Sequence, residues 1–321
     1  MKIYRLMTVA ALMAIAAMPL HAASKPIVEI TGPVKTSMTM TADNDYMITG
    51  EVHVLSGVTL GVEDGVTILI RNGNQNRSVG KTFGKKSGLV FDSGSSLAAK
   101  NISFKACDDV GTPVSVADNA GLFLMGSSAL WQQGQLLVNF ATRASSFVAD
   151  SISTDYLGRL EPVKTRLSPV YPGINIIGMN VSEWKVGAVA SAHAASYGMR
   201  VDRSVIRIDS LNISDSGAAG IRLFDTRLDI VKTLGVSNNS ALPKVQLFDF
   251  GQIRAIEKGP SRMRMFPGAS VAVTGLINPW VSVLSENMPA VKTGVAASGY
   301  SYSGVLGANQ TYITSTYISS F

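Results

Sequence analysis

The chain is short of the residues that build covalent or metal cross-links. Its 321 residues include one cysteine, Cys107, so no disulfide can close within it. Three histidines are present, and only His53 and His193 lie beyond residue 22, far apart and without a cysteine partner, which makes no metal-ligand pattern. Charged residues are 16% of the chain, with no run of five basic side chains, so nucleic acid is not expected as a partner. Beyond residue 22 no charge-free apolar run reaches the roughly 20 residues of a spanning helix.

Residues 1–22 have a separate character. Lys2 and Arg5 form a basic start, residues 6–18 an apolar core, and Pro19-Leu20-His21-Ala22 leads into small residues. This is the layout of a secretory signal peptide. The expected organisation is a signal peptide over 1–22 and one domain over 23–321, with no membrane span after cleavage. The expected location is secreted, periplasmic or at the cell surface. Loss of Lys2 and Arg5 lowers the formal charge from +6 to +4, a mild excess that suits an anionic glycan or envelope surface.

What the chain does have is a repeated short β pattern. Between residues 205 and 236 the triplets Ile206-Arg207-Ile208, Leu211-Asn212-Ile213, Ile221-Arg222-Leu223, Leu228-Asp229-Ile230 and Leu234-Gly235-Val236 alternate apolar and other residues. Each triplet sends two side chains to one face, the period of a half-buried strand. Ile206 and Leu228 are 22 residues apart, Leu211 and Leu234 are 23. Strands this short cannot bury an apolar face alone, so their return at a fixed distance predicts stacked coils of a parallel solenoid. That register predicts an exposed Arg207–Asp229 ion pair on neighbouring rungs.

Elsewhere the pattern recurs. Residues 46–70 are strongly β, with Ser-Gly and Asp-Gly corners, and Val66 to Leu89 again spans 23 residues. Residues 24–45 read as a polar lead-in or an edge that covers the first coil, 71–87 as a polar insertion, and 151–172 as a long polar loop. The Ala/Ser-rich stretch 187–196 fits a helix or a tight coil. The tail from 299 fits a last coil or a cap.

The run 56–70, with 88–107 after it, resembles the opening coils of the pectin-lyase-like superfamily of right-handed parallel β-helices in exported bacterial proteins, and 204–239 is similar to their interior coils. The resemblance implies an all-β, single-domain right-handed parallel β-helix with a polar N-terminal lead-in and loop insertions. It implies no single function, because that superfamily hosts lyases, hydrolases, esterases and adhesins.

A lyase of this kind needs carboxylates converging with a basic residue. The nearest set is Asp225 and Asp229 with Arg222 and Arg227, four charges of mixed sign that read as a solvated face. Asp108-Asp109 reads as a turn rather than a hydrolase pair, and no Gly-x-Ser-x-Gly elbow is present. His53, between Val52 and Val54, is expected to point outward into solvent, and His193 to be packed. Cys107 follows a strand-like segment and reads as a small structural hydrophobe. Trp131, with the amides of Gln132, Gln133 and Gln135 beside it, is the best aromatic for a sugar ring.

The ligand-binding candidates are therefore Trp131, Gln133, Arg222, Asp225 and Asp229, with no catalytic residue assigned and no metal site. No cofactor is expected, calcium entering only with a lyase. The expected function is an exported, non-catalytic β-helix that presents a rigid face to a polysaccharide or cell-surface component. The alternative is a polysaccharide-active enzyme resembling a uronate lyase.

Overall fold

A computed structural model describes residues 25–74, 85–128, 132–133, 136–137, 143–163, 166–239, 253–255, 262–266, 269–274, 281–284, 301–305 and 311–315. Its elements are all strands, and the chain winds so that successive turns pair in parallel. The first turn carries β1 (Ile27–Ile30) and β2 (Met38–Met40). The next carries β3 (Asp45–Ile48), β4 (Glu51–Val54) and β5 (Thr59–Val62), followed by β6 (Thr67–Arg71), β7 (Gly88–Phe91) and β8 (Ser96–Ala99). β9 (Asn101–Cys107) and β10 (Gly121–Met125) come next, then a small hairpin of β11 (Gln132–Gln133) and β12 (Leu136–Leu137).

From there the strands lengthen and turn a corner. β13 (Ser146–Asp155) is followed by an antiparallel hairpin, β14 (Arg159–Val163) with β15 (Arg166–Tyr171), then β16 (Ile174–Ile177). β17 (Trp184–Ala192), β18 (Met199–Asp202), β19 (Val205–Ser214), β20 (Ile221–Phe224) and β21 (Arg227–Ser237) complete the regular windings. β22 (Ile253–Ala255), β23 (Arg262–Met265) and β24 (Ser270–Thr274) form the last parallel turn. β25 (Val281–Leu284), β26 (Ser301–Val305) and β27 (Thr311–Ser315) pair antiparallel: β26 on β24, and β27 on both β23 and β25.

Three strips result, here called first, second and third. The first is β1-β3-β6-β9 and then the C-terminal halves of β13, β17, β19 and β21, ending on β24. The second is β4-β7-β10-β16-β18-β20-β22. The third runs β2-β5-β8 into the N-terminal half of β13 and on to that of β17, and resumes from β19 through β21 to β23.

The side chains inside the tube form columns. On the first strip Ile102, Ile152, Val189, Leu211 and Leu234 lie one above another, all buried. On the second, Val52, Leu89, Leu122, Ile174, Met199 and Ile221 do the same. Each such side chain contributes roughly 1.5–3 kcal/mol by leaving water, and the parallel ladders pair the backbone groups that accompany it.

The 22- and 23-residue spacings are both real, and a bulge reconciles them. Ile206 pairs Leu228 and Ile208 pairs Ile230, but after a register shift Ser210 pairs Thr233 and Leu211 pairs Leu234, so β21 carries one extra residue at the corner. Arg207 does lie opposite Asp229, yet the expected ion pair between them is not formed. Asp229 is held by Arg227, two residues earlier on the same strand, at 3.1 Å, and the Arg207 guanidinium lies 5.1 Å over the Phe266 ring.

Three other expectations are corrected. Leu89 stacks on Val52 rather than Val66, because the insertion after Arg71 lengthens that turn and Ile68 pairs Phe104 instead. Residues 151–172 are the end of β13 and the β14–β15 hairpin, not one loop. Residues 187–192 belong to a strand, where Ala190 faces out and Val189 faces in. The 24–45 lead-in forms the edge expected of it: β1 ends its sheet path against β3, and β2 pairs β5, both in parallel.

Corners are set by left-handed backbone. Tyr156, His193, Asp215 and Asn238 have φ of 54°, 51°, 54° and 54° just after the first-strip strands, and Arg203 and Asp225 have 46° and 47° at the corner between second and third strips. Gly198 marks a close approach: a Cβ there would lie 2.3 Å from Ile213 Cγ2 and 2.7 Å from Ser216 Oγ. Gly198→Ala is therefore expected to lower stability by about 1–3 kcal/mol through overpacking. Urea unfolding measures it, and an unchanged midpoint would contradict the close packing of this corner.

Candidate functional site

The outward residues of the first strip form a flat field of small side chains. One row is Asn101, Ser151, Ala188, Ser210 and Thr233. The next row on the same face is Ser103, Ser153, Ala190, Asn212 and Gly235. Adjacent rungs are about 4.7–4.9 Å apart, so hydroxyl and amide groups recur at that interval along the solenoid. The alternation that buries Ile152, Val189, Leu211 and Leu234 necessarily points these neighbours outward. Ser151 Oγ donates to Asn101 Oδ1 at 2.8 Å, and Asn101 Nδ2 donates to Asp64 Oδ1 at 3.0 Å.

Gly235 leaves room for its neighbour on this face, because a Cβ there would lie 2.4 Å from Asn212 Oδ1. Gly235→Ala is expected to displace the Asn212 amide while leaving the buried columns intact. The Asn212 side-chain NH2 signals in NMR would shift, and their failure to move would place that amide elsewhere.

Charged and aromatic groups border the field. Along one edge a groove of about 410 Å³ holds Asp150, Lys185, Asp209 and Lys232, with Lys232 Nζ 2.6 Å from Asp209 Oδ2. Along the other edge His193 Nδ1 lies 2.8 Å from Asp155 Oδ1, and its ring stacks on Tyr156 at 4.5 Å. His193 is thus half-exposed at a corner rather than packed away.

Of the residues singled out from sequence, Trp131 lies outside the described residues. Gln133 is placed on β11, paired with Leu136, and its side chain lies outside them as well. Arg222 sits on the second strip with its guanidinium 5.1 Å over the Tyr197 ring. Asp225 is exposed at the next corner, and Asp229 is buried on the third strip. Asp225 and Arg227 line one groove of about 260 Å³ with Arg203, Ser204, Val205 and Thr226, whereas Arg222 is not part of it.

Calcium chemistry is a poor fit to this set. The ion takes six to eight oxygen ligands, but Arg227 Nε and Nη2 donate to the two oxygens of Asp229 at 3.3 and 3.1 Å. Among the described residues no group of three or more His, Cys, Asp or Glu is placed to hold a metal ion.

No protein family, curated protein or solved structure matches this chain.

The remaining reactive residue types are engaged structurally. Asp108 caps a turn by accepting from the N–H groups of Thr112 and Val110, which hold its carboxyl below the usual range, while Asp109 takes Arg71 at 2.7 Å. Cys107 is buried, and that burial, reinforced by Asp108, pushes its thiol up to about 12, the opposite of an activated nucleophile.

His53 is not simply solvated. It bridges Glu51 Oε1 at 2.9 Å and Asp92 Oδ1 at 2.7 Å, with Glu51 buried, and so ties β4 to the turn after β7. Burial disfavours its charge, but hydrogen bonds to Asp92 and then Glu51 outweigh it and raise the imidazole to about 9. An imidazolium held at neutral pH by two carboxylates has no free nitrogen to act as a base.

Proposed function

We propose that this chain is an exported, non-catalytic, single-domain right-handed parallel β-helix, of the pectin-lyase-like kind, that binds a glycan or another cell-envelope component along its first strip. The observation that carries the reading is the two-row field of Ser, Thr, Asn, Ala and Gly in register on five successive rungs. Backbone pairing on both sides makes this surface stiff, so a ligand meets hydroxyl and amide groups already in place and little ordering entropy is lost on binding. Small side chains let a polysaccharide approach closely, and Ser and Asn both donate to and accept from sugar hydroxyls.

The test is retention of the purified protein, without residues 1–22, on a panel of immobilised neutral and acidic polysaccharides. Ser153→Arg with Asn212→Arg roughens the field at outward positions without touching a buried column. Loss of at least about tenfold in affinity, or about 1.4 kcal/mol, is expected with the β-rich circular dichroism unchanged. Unaltered binding by that variant would move the site off this face. Release of unsaturated uronate products would replace the binder with a lyase.

A further inference from the structure

The two ends of the solenoid treat their last rungs differently. At the C-terminal end β27 pairs with β23 and β26 with β24, both antiparallel, which closes the third and first strips. At the N-terminal end β1 is the last strand of its sheet, and among the described residues only β3 pairs with it. Pro26 O accepts from Asp45 N, and Ile30 O from Thr49 N, on the β3 side. Backbone groups alternate along a strand, so the N–H and C=O of Ile27 and Glu29 point the other way, to the open edge.

The apolar column is open there too. Val28 stacks below Tyr46, Ile68 and Phe104, which are buried, yet it is itself 39% exposed. Removal of residues 1–22 leaves Ala23 and Ser24 ahead of Lys25. Two residues span at most about 7 Å, too little to turn and lay another rung under β1.

Edge strands are commonly blunted by proline or charge, and this one carries Pro26, Lys25 and Glu29. These residues do not block pairing here. The Pro26 nitrogen lies on the β3 side with its carbonyl, so no donor is missing from the free edge. Lys25 and Glu29 are opposite in sign. In an antiparallel pair of β1 strands centred on Ile27, Lys25 of each chain falls opposite the partner's Glu29. Residues 25, 27 and 29 all turn their backbone groups to the free edge, so the register that matches the charges is one the backbone permits. Lys25 Nζ rests on a neutral group, the Gly65 carbonyl, at 3.0 Å, and Glu29 is exposed without an ion pair among the described residues.

We infer that the N-terminal edge joins two copies of this chain end to end, β1 pairing antiparallel with the partner's β1 about a two-fold axis at Ile27. Val28 then packs beside the partner's Pro26 and the open column is covered. A two-fold contact uses the same patch twice and closes at two copies. Head-to-tail growth would need a free C-terminal rung, which β26 and β27 occupy. From the reading above the inference takes only the removal of residues 1–22, and it makes no use of a glycan.

The test is sedimentation equilibrium of the protein without residues 1–22 over a concentration series, with hydrogen exchange read at β1. A monomer–dimer equilibrium without larger species is expected, with the Ile27 and Glu29 amides protected in the dimer. Lys25→Glu sets like charges opposite each other twice per dimer, as does Glu29→Lys, and each should weaken association at least about tenfold. Lys25→Glu combined with Glu29→Lys should restore most of it, because only the signs are exchanged. Circular dichroism checks that each variant is folded.

A monomer at every concentration would overturn the inference, and so would a dimer that tolerates both single reversals. Protection of the Ile27 and Glu29 amides in a monomer would overturn it as well, by assigning the edge to another segment of this chain. Polysaccharide retention, measured on the same variants, decides the first-strip reading separately.

Discussion

Phe147→Ala is expected to destabilise the protein by about 3–5 kcal/mol, the range for removing a large aromatic from a packed core. Phe147 is fully buried on the third strip, stacked on Leu97 below and Trp184 above. Its ring meets Phe91 edge-on at 5.8 Å and Trp184 at 6.4 Å, so the cavity opens toward two other aromatics. In a wound fold each turn rests only on its neighbours, and the loss should be local to them at first. Hydrogen exchange is the direct readout: amides of β8, β13 and β17 lose protection before those of β20. Phe147→Leu keeps most of the volume and should cost less than about 1.5 kcal/mol. An alanine variant within about 1 kcal/mol of wild type would mean that this aromatic cluster does not hold the middle windings together.

Raising the pH from 6.5 to above 9 is expected to remove up to about 3 kcal/mol of stability contributed by His53. The sign follows from the direction of the shift. Its imidazole rises from an ordinary value near 6.5 to about 9 in the folded protein, because Asp92 and Glu51 together outweigh the cost of burial. The folded state therefore holds the proton more tightly than the unfolded chain does. The contribution is complete below about pH 6.5, declines above it and is gone beyond about 9. His53→Gln should flatten this part of the pH–stability curve, and a curve still falling steeply in the variant would assign the trend elsewhere. Cys107 adds to the loss only at higher pH, since its thiol stays neutral in the fold to about 12 while the unfolded thiol ionises near 8.5. Cys107→Ala separates the two.

Much of this architecture is legible in the triplets. The pairs Ile206–Leu228 and Leu211–Leu234 stack as their spacing requires, and the one-residue difference between those spacings marks the bulge at the corner. The outward field of small side chains was equally present in the letters, as the middle residues of triplets such as Leu211-Asn212-Ile213 and Leu234-Gly235-Val236, once the apolar flanks fixed which side chains face out. Reading the flanks alone hides it. The Val66–Leu89 spacing misleads because equal distances do not identify partners when an insertion such as 71–87 lies between them.

What the sequence by itself determined is the local alternation: which residues of each short strand face inward, and that the strands must stack to cover them. That follows from side-chain period and hydrophobic burial, which act over a few residues. Only the tertiary structure decided which windings are neighbours, and with that every contact between them. It joined Glu51 to His53 and Asp92, seated Arg203 and Arg207 on aromatic rings, and gave Asp229 to Arg227 instead of Arg207. Such contacts depend on the length of each loop that separates the rungs. Loop closure costs little extra free energy as loops grow, so turns of very different length all fit one stack and leave no periodic trace in the chain.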